Sequence, residues 1–121
     1  MGKLAILICL ASTLGLAESW SGALVDSKCF ASEESSVNPH DSLPNVDRDR
    51  GMEIRFCSPS AKTKAFAVVE QDGESFRLDG GGNTKALELV RNAGKREYFI
   101  VDVTGEANKN TVRVDSISLV R

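Results

Sequence analysis

Apolar and polar residues alternate along several short stretches of the chain, which is the pattern of strands with one buried face. The clearest pair is AFAVVEQ, residues 65–71, and ESFRLD, residues 74–79, which are separated by Asp72 and Gly73. Because Asp-Gly is a favoured hairpin turn, the pair predicts two antiparallel strands. The inward positions of this hairpin are the strongest candidates for the core: Phe66, Val68, Phe76 and Leu78.

Three further stretches have strand patterns. Residues 20–29 are rich in strand formers, and Gly22 stands where a bulge or sharp coil could occur. Residues 98–105 alternate, with Phe99, Val101 and Val103 facing inward. In residues 111–119 the inward parity of Val112 and Val114 is reversed at Ile117 and Leu119, which predicts a bulge near Asp115 and Ser116 or a strand covered on both faces.

Residues 85–93, KALELVRNA, change to helical spacing. Asn83 or Thr84 is the expected N-cap, and Gly94 is the expected stop. The three glycines before the cap, residues 80–82, are interpreted as a turn that needs positive backbone angles. The apolar face of this helix has four members: Ala86, Leu89, Val90 and Ala93.

The glycine-rich stretch GGGNTK, residues 80–85, also raises the question of a phosphate site. A Walker-type loop needs a second glycine five positions after the first, but Lys85 stands five positions after Gly80. A dinucleotide fingerprint would require glycine at the same place. A helix N-terminus can attract an anion, yet the sequence favours a simple turn and a capped helix.

Residues 30–56 contain two prolines, several serines and alternating charges without a sustained period, which predicts a long loop with room for a helical turn. The resulting order is strand, long loop, two-stranded hairpin, helix and two strands. This order predicts a mainly β protein, a five-stranded OB-fold-like Greek-key barrel with one helix between strands 3 and 4. A half-open α+β sandwich and another small barrel are the alternatives.

The N-terminal residues 1–17 have the layout of a signal peptide, with Lys3 before an apolar run and small residues at the end. The apolar run is shorter than the roughly 20 residues that span a bilayer, which disfavours the alternative of an anchoring helix. Cleavage after Ala17 would remove Cys9 and leave residues 18–121 as a single domain. We therefore expect a secreted or periplasmic protein without a membrane span in its mature part.

Two cysteines, Cys29 and Cys57, remain after such processing. In an oxidising compartment a pair of this kind usually forms a disulfide, although free or metal-bound thiols are possible. Closing a loop of this length would stabilise the fold by roughly 3 to 4 kcal/mol.

The chain is mildly acidic, with 15 basic and 17 acidic residues. Nucleic acid or an anionic membrane would require a clustered basic field, so neither is expected as a partner. We expect a monomer that binds an unknown protein or small ligand in the cell envelope. No cofactor is expected.

Catalytic and metal-binding patterns are incomplete. His40 is the only histidine and lies in the predicted loop, where a catalytic base would not be held rigidly. With Asp41 and the two cysteines it could form a zinc set, but the usual ligand spacing is missing. Asn45, Asp47 and Asp49 alternate as in a calcium loop that lacks its glycine and its glutamate. A metal-dependent hydrolase that uses His40 and the loop carboxylates is therefore the alternative function.

Several segments resemble a group of small secreted bacterial proteins with an OB-like pattern, described only as a domain of unknown function. The segments are WSGALVDSKC, CSPSAKTKAFAVVEQDG, FRLDGGGNTKA and VDVTGEANKNTVRVDSISL. The distinctive features are the aspartate before the first cysteine, the second cysteine followed by Ser-Pro and a threonine, and the Gly-Asn-x-Lys-Ala helix entry. A looser similarity to periplasmic bacterial OB-fold proteins lies in the Val-x-Val-Thr-Gly turn and the final strand.

These resemblances imply an OB-like fold and supply no catalytic residue. The preferred hypothesis is a non-enzymatic binding or structural module stapled by one disulfide. In OB-folds ligands bind at the face of strands 2 and 3, so we expect binding there and around the first cysteine. The candidate contacts are Arg77 and Tyr98.

Overall fold

The computed structural model of the protein describes residues 17–34 and 43–120, with the backbone alone for residues 43–49. Five strands and three helices occur in this part of the chain. In chain order they are β1 (Glu18–Asp26), α1 (Ser27–Glu34), α2 (Leu43–Phe56), β2 (Phe66–Val69), β3 (Ser75–Leu78), α3 (Gly80–Ala93), β4 (Phe99–Asn108) and β5 (Thr111–Leu119).

The strands form a closed barrel in the order β1-β2-β3-β5-β4, with β4 returning to β1. All neighbouring strands are antiparallel except β3 and β5, which pair in parallel. This is the strand order of an OB-fold, and α3 lies between β3 and β4 as in that fold. The predicted fold class is confirmed, whereas the helices before β2 were not predicted.

The barrel interior is filled by one cluster of buried side chains. The four residues expected in the core are all buried there, together with the inward residues of β4. Trp20 of β1 packs on Phe76 with 5.3 Å between the ring centroids. Ala86 and Val90 of α3 are buried against the same cluster, while Leu89 and Ala93 of the predicted helical face are partly buried. The alternating pattern therefore identified the interior correctly.

The parity reversal in β5 is a β-bulge. Thr104 is opposite Ser116 and Gly105 is opposite Val114, so Asp115 has no partner in the register. A side chain on Gly105 would collide with the carbonyl oxygen of Arg113, which explains why glycine occupies this close approach. The predicted bulge is confirmed, and Val112 and Val114 are buried on its N-terminal side.

The start of α3 differs from the prediction. The N-cap is Asp79, whose carboxylate accepts a hydrogen bond of 2.8 Å from the backbone N–H of Gly82. The three glycines form the first helical turn and have no positive φ angle; the glycines with positive φ in the described chain are Gly73 and Gly94. The prediction of a positive-angle turn capped by Asn83 or Thr84 is therefore wrong, because Asp79 provides an earlier cap. The stop at Gly94 is confirmed.

Gly82 is needed for space rather than for backbone freedom. A Cβ atom at this position would lie 2.5 Å from Cγ2 of Val114 and 2.9 Å from Oδ1 of Asp79. Asp79 also accepts a hydrogen bond of 3.2 Å from the N–H of Val114, so the first turn of α3 is held tightly against β5. Asn83 does not cap α3. Its side-chain oxygen accepts a hydrogen bond from the N–H of Phe66 at the start of β2.

The predicted long loop at residues 30–56 is wrong for residues 30–34 and 43–56, which are helical. The predicted strand at residues 20–29 likewise ends at Asp26, whose carboxylate accepts a hydrogen bond of 3.1 Å from the N–H of Cys29 at the start of α1. Pro44 lies in the first turn of α2, where proline is tolerated because those N–H groups lack helical partners. Prolines and alternating charges are typical of loops, but they also occur in the first turn and on the exposed face of a helix.

The helices α1 and α2 cover the outer face of β1 and β2, and we call these two helices with their disulfide the helical cap. The predicted disulfide is confirmed: Cys29 of α1 and Cys57, directly after α2, are bonded with their Cα atoms 5.5 Å apart. A second buried cluster lies beneath the cap, formed by Val25, Phe30, Cys57, Ala67 and Val69. No helix in residues 17–34 and 43–120 is long and apolar enough to cross a membrane.

Candidate binding grooves

The residues that carry the sequence resemblance around the cysteines form a structural hub. Asp26 accepts hydrogen bonds from the N–H of Cys29 and, at 3.2 Å, from the hydroxyl of Thr63. The N–H of Asp26 donates to the carbonyl of Cys57 at 2.8 Å. Thr63 is buried, and its hydroxyl also accepts a hydrogen bond from the N–H of Ser60. It therefore links Asp26 to the segment after Cys57. The hub joins the end of β1, the disulfide and the segment before β2.

The helical cap leaves a groove between α1 and β3, which we call the α1–β3 groove. Its volume is about 430 Å³, within the roughly 300 to 1,000 Å³ of ligand clefts. Phe30 and Ala67 of the cap cluster line its floor, and Glu34, Arg77 and Asn110 contribute polar groups. This groove is the part of the strand 2 and 3 face that the cap does not cover.

Arg77 is positioned in this groove by the pairing of β3 on both sides. Its Cα is opposite Ala67 of β2 and Thr111 of β5, and its N–H donates to the carbonyl of Asn110 at 2.8 Å. The alternation of β3 buries Phe76 and Leu78 and exposes Arg77. The guanidinium is therefore carried on a fixed backbone and is accessible to a ligand.

Tyr98 lines a different groove, between β1 and α2. Its side chain is 42% exposed, and the groove also contains Ile54, Glu70 and Gln71. No lining residue is shared with the α1–β3 groove. The structure therefore places both predicted contact residues in grooves but does not bring them together in one site.

A third groove was not predicted from the sequence. It lies where the C-terminal ends of α2 and α3 meet residues 58–61 and 94–97, and its volume is about 650 Å³. Four cationic side chains line it, with one acid, and we call it the basic groove. Its charged residues are Arg55, Arg91, Lys95, Arg96 and Glu97.

The basic groove has an apolar component as well. Phe56 is 74% exposed, whereas Pro59 and Val90 are buried. The hydroxyl of Ser58 donates to the carbonyl of Arg96 at 2.9 Å, which ties the two walls together. Arg55 and Glu97 form an exposed ion pair at 3.7 Å. The cations of residues 91–96 are apparent in the sequence, but the loop predicted at residues 30–56 gives no reason to place Arg55 and Phe56 beside them.

Two carboxyl groups meet between the helices of the cap. Burial and a hydrogen bond with Glu34 raise the pKa of Glu53 from 4.5 to about 7, and the nearby charges of Glu34 and Glu33 contribute in the same direction. Arg50 offsets part of this rise in the pKa. Protonation of Glu53 therefore favours contact of α1 with α2.

Among the described residues, no group of three or more His, Cys, Asp or Glu side chains could hold a metal ion. His40 and Asp41 lie outside the described residues, as do the side chains of Asn45, Asp47 and Asp49, so the hydrolase and metal hypotheses stay untested predictions. Comparisons of the chain with protein-family models, with curated proteins and with solved structures found no match.

Proposed function

We propose that the protein is a secreted or periplasmic, non-enzymatic binding module whose ligand occupies the α1–β3 groove. The observation that carries the proposal is the combination in this groove of an apolar floor, formed by Phe30 and Ala67, with a cation on a rigid strand. Ligand sites typically pair an apolar lining with a few placed polar groups. Arg77 supplies a planar donor for a carboxylate or carbonyl, and Asn110 supplies an amide.

The arrangement of the cap supports this location. In an OB-fold the face of strands 2 and 3 and the adjacent loops bind ligands. Here α1 and α2 cover that face over β2, where Ala67 and Val69 are buried. The uncovered part lies over β3, where Ser75 and Arg77 are exposed. A ligand in the groove would contact both the barrel and the cap, so disulfide formation would shape the site.

The compartment is supported by the chemistry of the cysteines. The Cys29–Cys57 bond requires an oxidising environment to persist, which fits export. The signal-peptide pattern of residues 1–17 and the resemblance to secreted bacterial proteins agree with this compartment.

The proposal is tested by affinity capture from envelope extract and culture medium, with the disulfide-bonded protein immobilised. Arg77→Glu should lose at least one partner that the wild type retains, because the cation in the groove becomes an anion. Lys62→Glu is the matched control, since Lys62 is exposed and outside the three grooves. If the wild type, Arg77→Glu and Lys62→Glu capture the same partners, Arg77 is excluded as a binding residue. If the wild type captures no partner, a purely structural role of the protein is favoured.

A further inference from the structure

We propose a second binding site, independent of the α1–β3 groove: the basic groove binds an acidic peptide segment of a protein partner. The first basis is charge. The whole chain has a formal net charge of −2, yet this groove collects four cations and a single acid. All four cationic side chains belong to exposed residues. A concave surface lined by one sign of charge attracts a ligand of the opposite sign.

The second basis is the mixed lining of the groove. Phe56 is an exposed aromatic ring, and the exposed Ala61 adds apolar surface to the same groove. A peptide in which acidic and apolar residues alternate can place carboxylates on the cations and side chains on this surface. An acidic polysaccharide has no apolar side chains to bury there. A flat bilayer cannot follow a concave groove along its length.

The third basis is the position of the one acid. Glu97 is 72% exposed in its side chain and lies 3.7 Å from Arg55, which is itself 53% exposed. An exposed ion pair of this kind contributes at most about 1 kcal/mol, so a ligand carboxylate can replace Glu97 as the partner of Arg55. Glu97 therefore acts as an internal competitor for the site. Removing its charge should strengthen binding, a gain that general surface damage would not produce.

The end of α3 explains how the cations are held. Arg91 lies in the last turn of this helix, and Gly94 ends it with a positive φ angle. The chain then turns so that Lys95 and Arg96 follow on the same side as the segment after Cys57, where Ser58 binds the carbonyl of Arg96. Cations near a helix C-terminus are also favoured by its dipole, which applies to Arg91 in the last turn of α3 and to Arg55 in the last turn of α2.

The test is a binding titration with a labelled short peptide in which Asp and Leu alternate, with the same peptide carrying Lys for Asp as a comparison. Arg91→Glu with Lys95→Glu should weaken binding by roughly 10-fold or more, and Glu97→Gln should strengthen it by roughly 2- to 5-fold. Lys28→Glu with Lys85→Glu is the matched control, with the same change in net charge outside the groove. It should stay within about 2-fold of the wild type.

If charge reversal prevents folding, the double variant Arg91→Gln, Lys95→Gln removes the same two positive charges and should also weaken peptide binding. Equal binding by the wild type, the groove variants and Glu97→Gln would overturn the proposal. The proposal is also overturned if the peptide fails to bind while a sulfated oligosaccharide or vesicles of anionic phospholipid do bind. Capture experiments with Arg77→Glu are independent of these titrations, so either site can fail without the other.

Discussion

The barrel interior and the helical cap hold their residues together in different ways. Twelve buried side chains form the barrel cluster, and the strands around it are closed by hydrogen bonds between every neighbouring pair. The cap cluster has five buried residues, and one of them is half of the disulfide. Because burial alone provides little stabilisation for so small a cluster, the covalent bond takes over part of that role. Within this small domain, the region with the smaller core is the one that carries a covalent crosslink.

The two regions nevertheless share β1 and β2. Leu24, Phe66 and Val68 face the barrel, while Val25 and Ala67 face the cap. The C-terminal part of β1 and the whole of β2 are thus buried on both faces, which is unusual for an antiparallel pair. Loosening the cap would uncover the apolar outer face of the barrel wall. The comparison therefore predicts that a substitution that weakens the cap destabilises α1 and α2 first, and then β1 and β2.

The largest expected effect comes from removing the disulfide. The double variant Cys29→Ala, Cys57→Ala should lose about 2 to 4 kcal/mol of unfolding free energy, because the unfolded chain regains the freedom that the bridge removed. Denaturant titration measures the loss, and hydrogen exchange should show faster exchange in α1 and α2 than in β4. Reduced wild type is the matched control. Uniform loosening of cap and barrel would contradict the division between them.

A smaller effect is expected in the barrel at the first turn of α3. Gly82→Ala should cost about 1 to 3 kcal/mol, because its methyl group would press on Val114 and on the capping carboxylate. Gly81→Ala is the matched control, since the nearest atom to its Cβ is Oδ2 of Asp79 at 4.0 Å. That control should stabilise the helix by about 0.5 to 1 kcal/mol. Thermal unfolding distinguishes the two variants. Similar effects of Gly82→Ala and Gly81→Ala would show that lack of space for a side chain does not explain the glycine at residue 82.

The smallest effect concerns the pH dependence of the cap. The pKa of Glu53 is raised in the folded protein, so its contribution to stability is complete below pH 4.5 and is lost as the pH rises through about 7. We expect a loss of about 1 kcal/mol across this interval, since solvent screens a partly exposed pair. Glu53→Gln should remove this dependence, and Glu88→Gln on α3 should not. Stability curves of equal slope for Glu53→Gln and wild type would exclude the carboxyl pair.

The strands, the face of α3 and the disulfide were predictable because each rests on a local pattern or on the two remaining cysteines. Strict alternation in β3 and β4 reflects one face against the core. The cap helices gave no such pattern because α1 buries a single described apolar residue, Phe30, besides its half-cystine. Asp79 was interpreted as the end of a strand because a strand end and a helix cap can occupy the same position.

The binding grooves were harder to predict than the fold. Arg77 could be named because it faces outward on a recognisable strand, but the wall opposite it belongs to the unpredicted α1. The basic groove joins Arg55 with a run of cations from a distant segment, and only the folded chain brings them together. A net charge computed over all residues hides such clustering, since opposite charges elsewhere cancel it.

The pairing of β1 with β4 has a consequence for the order in which the chain can fold. During synthesis the chain emerges from its N-terminus, so β1 appears long before Gly105, the register partner of Glu18. β1 therefore has one open edge until β4 arrives, while its other edge can already pair with β2. The cysteines both precede β2, so in an oxidising compartment the covalent staple can form on an incomplete barrel. Because these pairings join residues far apart in the sequence, we expect closure by β4 and β5 to be the last long-range step of folding.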